Sequence, residues 1–508
     1  MKIFILHILI TINLAFVINQ SLAQPGTINM TPIVNSFGGL VSTKIKVPVK
    51  FAALIDSNKT VNIAQGFEPK IFYMGGLTKP RFMSFSPQGV LHVIDFKSNG
   101  SVYALPDANN DDIADTLLPV VTGVFGHDFR FYKGFIFVAE EKRILKCSDL
   151  NQDGFFETKE VFIDSIGMNS GGGHYSRTIV FDSINHKMYL SMGSPCNVCR
   201  DTFRSGIEQY NDDGSGRVVY ATGIRNAVGL LVHPKTNQLW ANNNGSDNQG
   251  NNIPPEWIDL IRPNGFYGFP FAYANQVWFN FELGTDYKAL KPITAIDSAK
   301  VAKMVEPAGL IQAHSAPMDM EYVELTTNMQ TNKGIVMALR GSWNRIPSTG
   351  YKLVFLSQNN SPDQITSVCD FLSGFLLDSS KSSGGEWARP VGLAIQKKGY
   401  KTNIFMSSDA TNRFIMMLKD NSSTGFNELQ KLSIKLYPNP FTHQIQIDGE
   451  LPMDASITIS NLLGQTENIV FDKETKTIDT KALSAGIYFI KIGSGNIVHT
   501  QKIIKIEG

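Results

Sequence analysis

Along most of this chain, short apolar runs alternate with turns and polar loops. The clearest runs are Val90–Ile94, Phe135–Ala139, Lys187–Ser191, Gln238–Asn242, Gly334–Ala338 and Asn403–Ser407. They are too short for buried helices and are bounded by turn residues, so each predicts a strand. An Asp-rich loop also repeats: Asp107-Ala108-Asn109-Asn110-Asp111 is echoed 42 residues later by Asp149-Leu150-Asn151-Gln152-Asp153. A period of about 40–50 residues with several strands per unit predicts a β-propeller. The six runs predict six blades over residues 63–419. Radial packing suits such a chain because it leaves only short sheet edges. The fourth and fifth runs are widely spaced, which predicts an insertion from Asn264 to about Met318 over the top face.

The pattern changes at both ends. Residues 24–62 are polar and irregular, a lead-in able to supply one strand. Residues 420–430 read as a polar linker. Residues 431–508 alternate apolar and polar positions, as in Ile445-Gln446-Ile447 and Ile457-Thr458-Ile459, with Gly464, Gly486 and Gly493 at turns. That predicts a small Ig-like β-sandwich, so the fold class is all-β throughout. Residues 1–23 combine a charged Lys2, an apolar Ile3–Val17 and the small-residue signal Ser21-Leu22-Ala23. They predict a secretory signal peptide cleaved after Ala23. The apolar run is short for a spanning helix, and no later stretch is long enough to span a bilayer.

Composition narrows the partners. A formal net charge of +1 gives no electrostatic case for nucleic acid or an anionic membrane. Export makes disulfides permissible for the four cysteines. Cys196-Asn197-Val198-Cys199 is a CxxC, but Arg200 follows where covalent haem attachment would need histidine, and no second CxxC completes a zinc site. A local structural disulfide between Cys196 and Cys199 is expected, with a redox dithiol as the alternative. The Asp-rich loops, residues 107–115 and 149–157, carry oxygens at alternating positions as calcium loops do. A hydrogen-bonded Asx-turn is the other reading of the same residues.

Chemistry concentrates beside the predicted strands. Gly171-Gly172-Gly173 delivers His174 just before the apolar run Thr178–Phe181. Glycines permit positive φ and close backbone approach, so His174 is expected at the mouth of a strand. It either carries chemistry or satisfies a loop hydrogen bond. Gly223-Ile224-Arg225-Asn226 opens another strand, and Asn242–Asp247 is rich in oxygens at a strand end. Ala313–Pro317 holds His314, Gly341–Arg345 follows Arg340 and holds Trp343, and Gly385–Gly392 holds Arg389. Converging arginines, a histidine and a tryptophan suit a flat, anionic, aromatic ligand.

Taken in order, GGHYSRTIVFD, SPCNVC, GIRNAVGL, PPEW with GFYGFP, AHSAP, GSWNR and ARPVG resemble the soluble pyrroloquinoline-quinone-dependent (PQQ-dependent) sugar dehydrogenases, and the L-sorbosone dehydrogenase type among them. The resemblance covers roughly residues 65–418. It implies a six-bladed propeller oxidising an aldose, or a related sugar alcohol or aldehyde, by hydride transfer to the quinone. It implies His174 as general base and Arg225 as the cation stabilising charge on the reduced cofactor. It further implies Asn226, His314, Arg340, Trp343 and Arg389 as cofactor contacts. Asn244, Gly245, Ser246 and Asp247 would then meet a calcium ion (Ca2+) that clamps the cofactor. With no haem site in the sequence, electrons would leave to a separate acceptor.

The tail resembles a second family, the type A sorting domain of the type IX secretion system. Its markers are Leu436–Phe441, Asn461–Gln465, Leu483–Tyr488 and the basic-apolar ending Gln501–Lys505. That implies the type IX secretion machinery as partner and a secreted or cell-surface location. Two other functions are weighed: a calcium-dependent, lactonase-like propeller hydrolase, and a non-catalytic propeller binding glycan or protein. The first needs axial carboxylates around one metal, where the sequence offers arginines and His174.

Overall fold

The computed structural model describes residues 26–35, 37–167, 172–201, 204–327, 330–359, 361–421, 434–449, 451, 455–461, 465–494 and 497–507. The expected signal peptide lies outside these residues, as do Gly171 and nearly all of the expected linker. The chain divides into two compact units. One comprises residues 1–323, 333–398 and 402–419; the other comprises residues 324–332, 399–401 and 420–508.

In the first unit, the described residues form six sheets, each built on four antiparallel strands, and a separate two-stranded sheet, Ala272–Tyr273 with Val277–Trp278. The first strand of each sheet is labelled here: β1 (Pro80–Phe85), β2 (Gly126–Tyr132), β3 (Arg177–Asp182), β4 (Leu230–Val232), β5 (Pro317–Thr327) and β6 (Ala388–Lys398). All six runs picked out by hydropathy fall on the second strand of a sheet: Leu91–Asp95, Phe135–Glu140, Lys187–Met192, Leu239–Asn243, Gln330–Leu339 and Lys401–Thr411. These strands are flanked on both edges and covered on both faces, so they read as unbroken apolar runs.

The sheets follow one another in a ring, and side-chain contacts tie each to the next. The rings of Phe82 on β1 and His127 on β2 pack at a tilt of 53° with centroids 4.3 Å apart. Asp128 on β2 accepts the Ile179 N–H of β3 at 2.9 Å. Thr178 Oγ1 donates to the Val228 carbonyl, just ahead of β4, at 2.6 Å. Asn242 donates to the Met318 carbonyl of β5 at 2.5 Å. Asp319 on β5 accepts the Leu393 N–H of β6 at 2.9 Å. Ser407 returns to the Arg81 carbonyl of β1 at 2.7 Å. The strand Phe67–Met74, early in the chain, completes the last sheet beside Phe414–Asp420, so the two ends of the ring are hydrogen-bonded into one sheet.

The expected insertion is present but differently placed. It lies inside the fourth sheet, between its third strand Glu256–Leu260 and its fourth strand Gly309–Ile311. It contains α1 (Thr285–Lys288) and α2 (Ala295–Val301), the latter opened by a capping box between Thr294 and Asp297. The lead-in supplies two strands rather than one, Leu40–Lys44 and Thr60–Ala64, which extend the fifth sheet. Both Asp-rich loops contain Asx-turns: Asn109, Asp111, Asn151 and Asp153 each accept the N–H two residues on. Asp107 and Asp149 reach further, to the N–H groups four and five residues on.

In the second unit, two four-stranded sheets share a core that includes Leu436, Phe441, Ile445, Ile447, Ile459, Ile478, Ile490, Ile492 and Ile503. Among the described residues no helix is long and apolar enough to cross a membrane.

The ring tolerates little added volume where strands cross. A Cβ on Gly229 would stand 2.3 Å from the Met318 carbonyl oxygen and 2.5 Å from Asn242 Nδ2. Gly229→Ala is expected to cost about 1–3 kcal/mol, the usual range for overpacking. Thermal unfolding followed by circular dichroism checks this; an unchanged Tm contradicts it.

Candidate active site

In an antiparallel hairpin, the start of the first strand and the end of the second lie together. The polar motifs of the sequence fall at those positions in sheet after sheet. His174 precedes β3, Arg225 and Asn226 precede β4, and His314 precedes β5, while Asn244–Asp247 and Arg340–Asn344 follow second strands. One cavity of about 240 Å³ collects them. Its lining includes Arg81, His174, Arg225, Asn226, Asn244, Gly245, Asp247, Glu256, His314, Arg340, Trp343 and Asn344.

His174 sits on a tight loop. Gly172 and Gly173 have φ of +84° and +66°, and a Cβ on Gly173 would lie 2.2 Å from the Pro195 carbonyl carbon. His174 Nδ1 is 2.8 Å from the Ser194 carbonyl oxygen. A carbonyl can only accept, so Nδ1 carries the proton and Nε2 keeps its lone pair in the neutral ring. Burial, and then the positive charge of Arg225, Arg204 and Arg177, push the pKa down to about 4.

Arg225 is 6% exposed, and its fork is fully engaged. Nε donates to the Asn197 carbonyl at 2.9 Å and Nη1 to the Gly245 carbonyl at 2.6 Å. Nη2 faces Asn197 Oδ1 at 3.1 Å and Asp247 Oδ2 at 3.3 Å. Asp247 Oδ1 accepts from Asn344 Nδ2 at 2.7 Å, and His314 Nδ1 stands 3.8 Å from that oxygen. Asn226 takes the Asn243 side-chain oxygen on its own N–H. Trp343 lies at the rim, 62% exposed.

Two predicted residues are placed elsewhere. Arg389 is buried, with Nε on Glu386 at 2.9 Å and Nη2 on the Tyr351 hydroxyl at 3.1 Å, and is not among the cavity's lining residues. Ser246 is also buried and turned away; its Oγ accepts from the Tyr287 hydroxyl at 2.8 Å. The structure joins Cys196 and Cys199 as a disulfide, and leaves Cys147 and Cys369 buried as thiols.

Four lining or supporting residues were assigned no role from the sequence, although two of them, Asn344 and Glu256, stand in the GSWNR and PPEW stretches. Arg81 and Arg340 reach one buried carboxylate, Asp409, at 2.9 and 3.0 Å. Asn344 orients Asp247. Glu256 lies beneath the Asn244–Asp247 segment and accepts the Gly245 N–H; burial pushes its pKa up to about 8, so it is neutral at pH 7. Arg81 stands in a Lys-Pro-Arg-Phe stretch that carries no motif. Asp409 ends an apolar strand, and a polar residue in such a position was the available signal.

The donors fit an anionic planar group. Three guanidinium groups line the cavity, and Arg81 Nε is buried with no hydrogen-bond partner among the described residues. The oxygens expected to meet a calcium ion already have hydrogen-bond partners. The Asn244 and Gly245 carbonyls face Arg225, Asp247 is engaged by Arg225 and Asn344, and Ser246 is taken by Tyr287. A cation at this segment would share those carbonyl oxygens, each with two lone pairs, with the Arg225 guanidinium.

Asp409→Asn is expected to leave two partly buried guanidinium groups without their shared anion. Removing one partner of a buried pair costs about 3–5 kcal/mol. Urea unfolding of the ligand-free protein measures it; a midpoint equal to that of the parent contradicts the shared-anion role.

Comparison with known proteins matches two family models. The TrAA12-like model matches residues 61–421, and the secretion system C-terminal sorting domain model matches residues 435–507. An uncharacterized protein of Borreliella burgdorferi is 27% identical over 391 residues, 75% of this chain and 96% of that one. A pyrroloquinoline quinone-dependent pyranose dehydrogenase of Coprinopsis cinerea is 24% identical over 409 residues, 70% of this chain but 54% of that enzyme. Among solved structures, the holo form of the pyranose dehydrogenase PQQ domain from Coprinopsis cinerea aligns with a TM-score of 0.58 at 21% identity, covering 74% of this chain and 98% of that one. The calcium structure of the Trichoderma reesei AA12 enzyme gives a TM-score of 0.58 at 20% identity, covering 71% and 97%. Over residues 61–421 the chain therefore belongs to the TrAA12-like family of PQQ-dependent sugar dehydrogenase-like proteins, and it carries a C-terminal secretion-system sorting domain behind it.

Proposed function

We propose that this protein is an exported quinoprotein that oxidises an aldose, or a related sugar alcohol or aldehyde. The six sheets are the blades of a six-bladed propeller, and the tail is an Ig-like sandwich read by the type IX secretion machinery, which delivers the protein to the cell surface or the medium. Family membership supports the reaction class. The observation that carries the reading is the state of His174: Nδ1 is fixed on the Ser194 carbonyl, and the ring is neutral with Nε2 available at the cavity.

PQQ, when bound, supplies an electrophilic ortho-quinone that accepts a hydride. Arg81 and Arg340 would hold its carboxylates, Arg225 would bias the site toward negative charge, and Trp343 would cover the exposed edge. His174 Nε2 takes the hydroxyl proton as the C–H bond weakens. A separate acceptor would take the electrons from the reduced cofactor. The hydrolase alternative draws on the buried carboxylates that the ring contains. Asp128 and Asp319 each tie a main-chain N–H of the next strand, and among the described residues no three His, Cys, Asp or Glu side chains gather as a metal would need.

His174→Ala is expected to lower kcat by about 10²–10⁴, the usual worth of a positioned base. Cofactor affinity should stay nearly unchanged, whereas Arg225→Ala should weaken binding and turnover together. The base must be neutral, so activity is present above its folded pKa and is lost as pH falls through about 4. Dye-reduction assays of PQQ-reconstituted protein on a panel of aldoses, with cofactor titration and a pH series, check all three. Full activity in His174→Ala sinks the assignment. Cofactor-free protein that binds glycan and oxidises nothing favours the non-catalytic propeller.

Deleting residues 431–508 should leave the propeller's Tm nearly unchanged and hold the protein in the periplasm. Cell fractionation with melting curves decides it, and normal surface display of the truncated chain refutes it.

A further inference from the structure

The two side chains central to the reaction hang from one short segment. The Ser194 carbonyl accepts the His174 main-chain N–H at 3.0 Å and His174 Nδ1 at 2.8 Å. The Ser194 N–H donates to the Arg225 carbonyl at 2.7 Å. Three residues on, Asn197 holds the Arg225 guanidinium twice, by its carbonyl at 2.9 Å and by Oδ1 at 3.1 Å. The same Oδ1 accepts the Asp247 N–H at 2.8 Å.

The segment is braced from within. Ser194 Oγ donates to the Cys196 carbonyl at 2.9 Å and accepts the Cys196 N–H at 3.2 Å, and the Cys196–Cys199 disulfide closes the turn. It also has no slack against its neighbours. A Cβ on Gly193 would stand 2.6 Å from His174 Cβ and 2.3 Å from Asn226 Oδ1. Neither Asn197 nor the disulfide lines the cavity, so none of them reaches a substrate or cofactor there.

We propose that Ser194–Cys199 is a disulfide-closed positioning bracket that sets His174 and Arg225 in one fixed geometry, with Asn197 as its grip on Arg225. A disulfide closing so short a loop removes little entropy from the unfolded chain, so its contribution is local order more than global stability. Small misplacements of a reacting group cost about 10²-fold in rate, which is what a bracket prevents. The proposal rests on the roles assigned to His174 and Arg225 above, but the bracket is testable without activity. The charged groups bearing on the His174 ring are Arg225, Arg204 and Arg177. Loosening the bracket admits water and lets Arg225 move off, and both changes raise the pH at which His174 titrates.

The test uses the full mature chain in four forms: parent, Cys196→Ser/Cys199→Ser, Asn197→Leu, and Asn197→Asp, which keeps the acceptor oxygens. Proton NMR of the cofactor-free protein, with the His174 signal assigned by its loss in His174→Ala, follows the titration. Kinetics of the reconstituted protein give kcat and KM. The open-disulfide form and Asn197→Leu should melt within about 5 °C of the parent. Both should show His174 titrating at higher pH and kcat lower by about 10- to 100-fold, and Asn197→Asp should restore kcat. His174 titrating as in the parent in both variants overturns the bracket, whatever the activity. A fall in kcat that tracks a lost Tm and is not rescued by Asn197→Asp also overturns it, leaving a structural staple. Should the open-disulfide form fail to fold, Asn197→Leu with its disulfide intact decides alone. A parent that oxidises no sugar refutes the proposed reaction and leaves the NMR result to judge the bracket.

Discussion

The structure depends on how neighbouring sheets are tied to one another. Sheets packed face to face on apolar side chains alone can slide, since dispersion and hydrophobic burial have no direction. Here each junction is pinned by a polar contact or a ring contact of fixed geometry. Asp128 on Ile179, Thr178 on Val228, Asn242 on Met318, Asp319 on Leu393 and Ser407 on Arg81 each join a side chain of one sheet to the main chain at the next. Burying these groups is favourable only because each finds its partner. Burial raises the Asp128 pKa to about 6 and holds Asp319 well above the carboxylate range, which is the electrostatic cost of using acids as ties. In return, loops from different sheets are held in register at one end of the ring.

That register sets the character of the cavity. Its cations are not free charges. Arg225 is spent on the loops that carry it, Arg81 and Arg340 lean on Asp409, and the nearby Glu256 is neutral. The field is therefore positive but the groups are rigid, which suits an anionic ligand better than a mobile surface patch would. Burial first, and then the same field, keep His174 neutral far below its ordinary range, so that a histidine among arginines can accept a proton.

How much of this the sequence carried follows from the range of each interaction. The second strands were legible because hydropathy over five or six residues is a local signal. The loop before β3 was legible because glycine reports backbone geometry directly: Gly172 and Gly173 adopt positive φ. Arg81, Asp409 and Asn344 were not, because their meaning lies in partners far along the chain; Arg340 meets Asp409 across 69 residues and Asn344 meets Asp247 across 97. Arg389 failed in the opposite sense. Its motif marked it for the cavity, yet Glu386 three residues earlier and Tyr351 take its guanidinium. The placement of the insertion inside the fourth sheet was hidden because its closing strand, Gly309–Ile311, is only three residues long.

Asn197 shows why a spacing motif can be read correctly and still be undervalued. The CxxC pattern specifies a disulfide, and a disulfide in an exported chain is normally a matter of stability. What the pattern cannot specify is the load on the two residues between the sulfurs. In the folded protein Val198 is buried in the apolar core, and Asn197 is left facing Arg225 and Asp247. The pair fixes the rotation of the turn: one side chain anchors it in the core while the other presents its oxygens to the site. A loop built in this way converts core packing into geometry at the cavity, as the ring ties do on a larger scale.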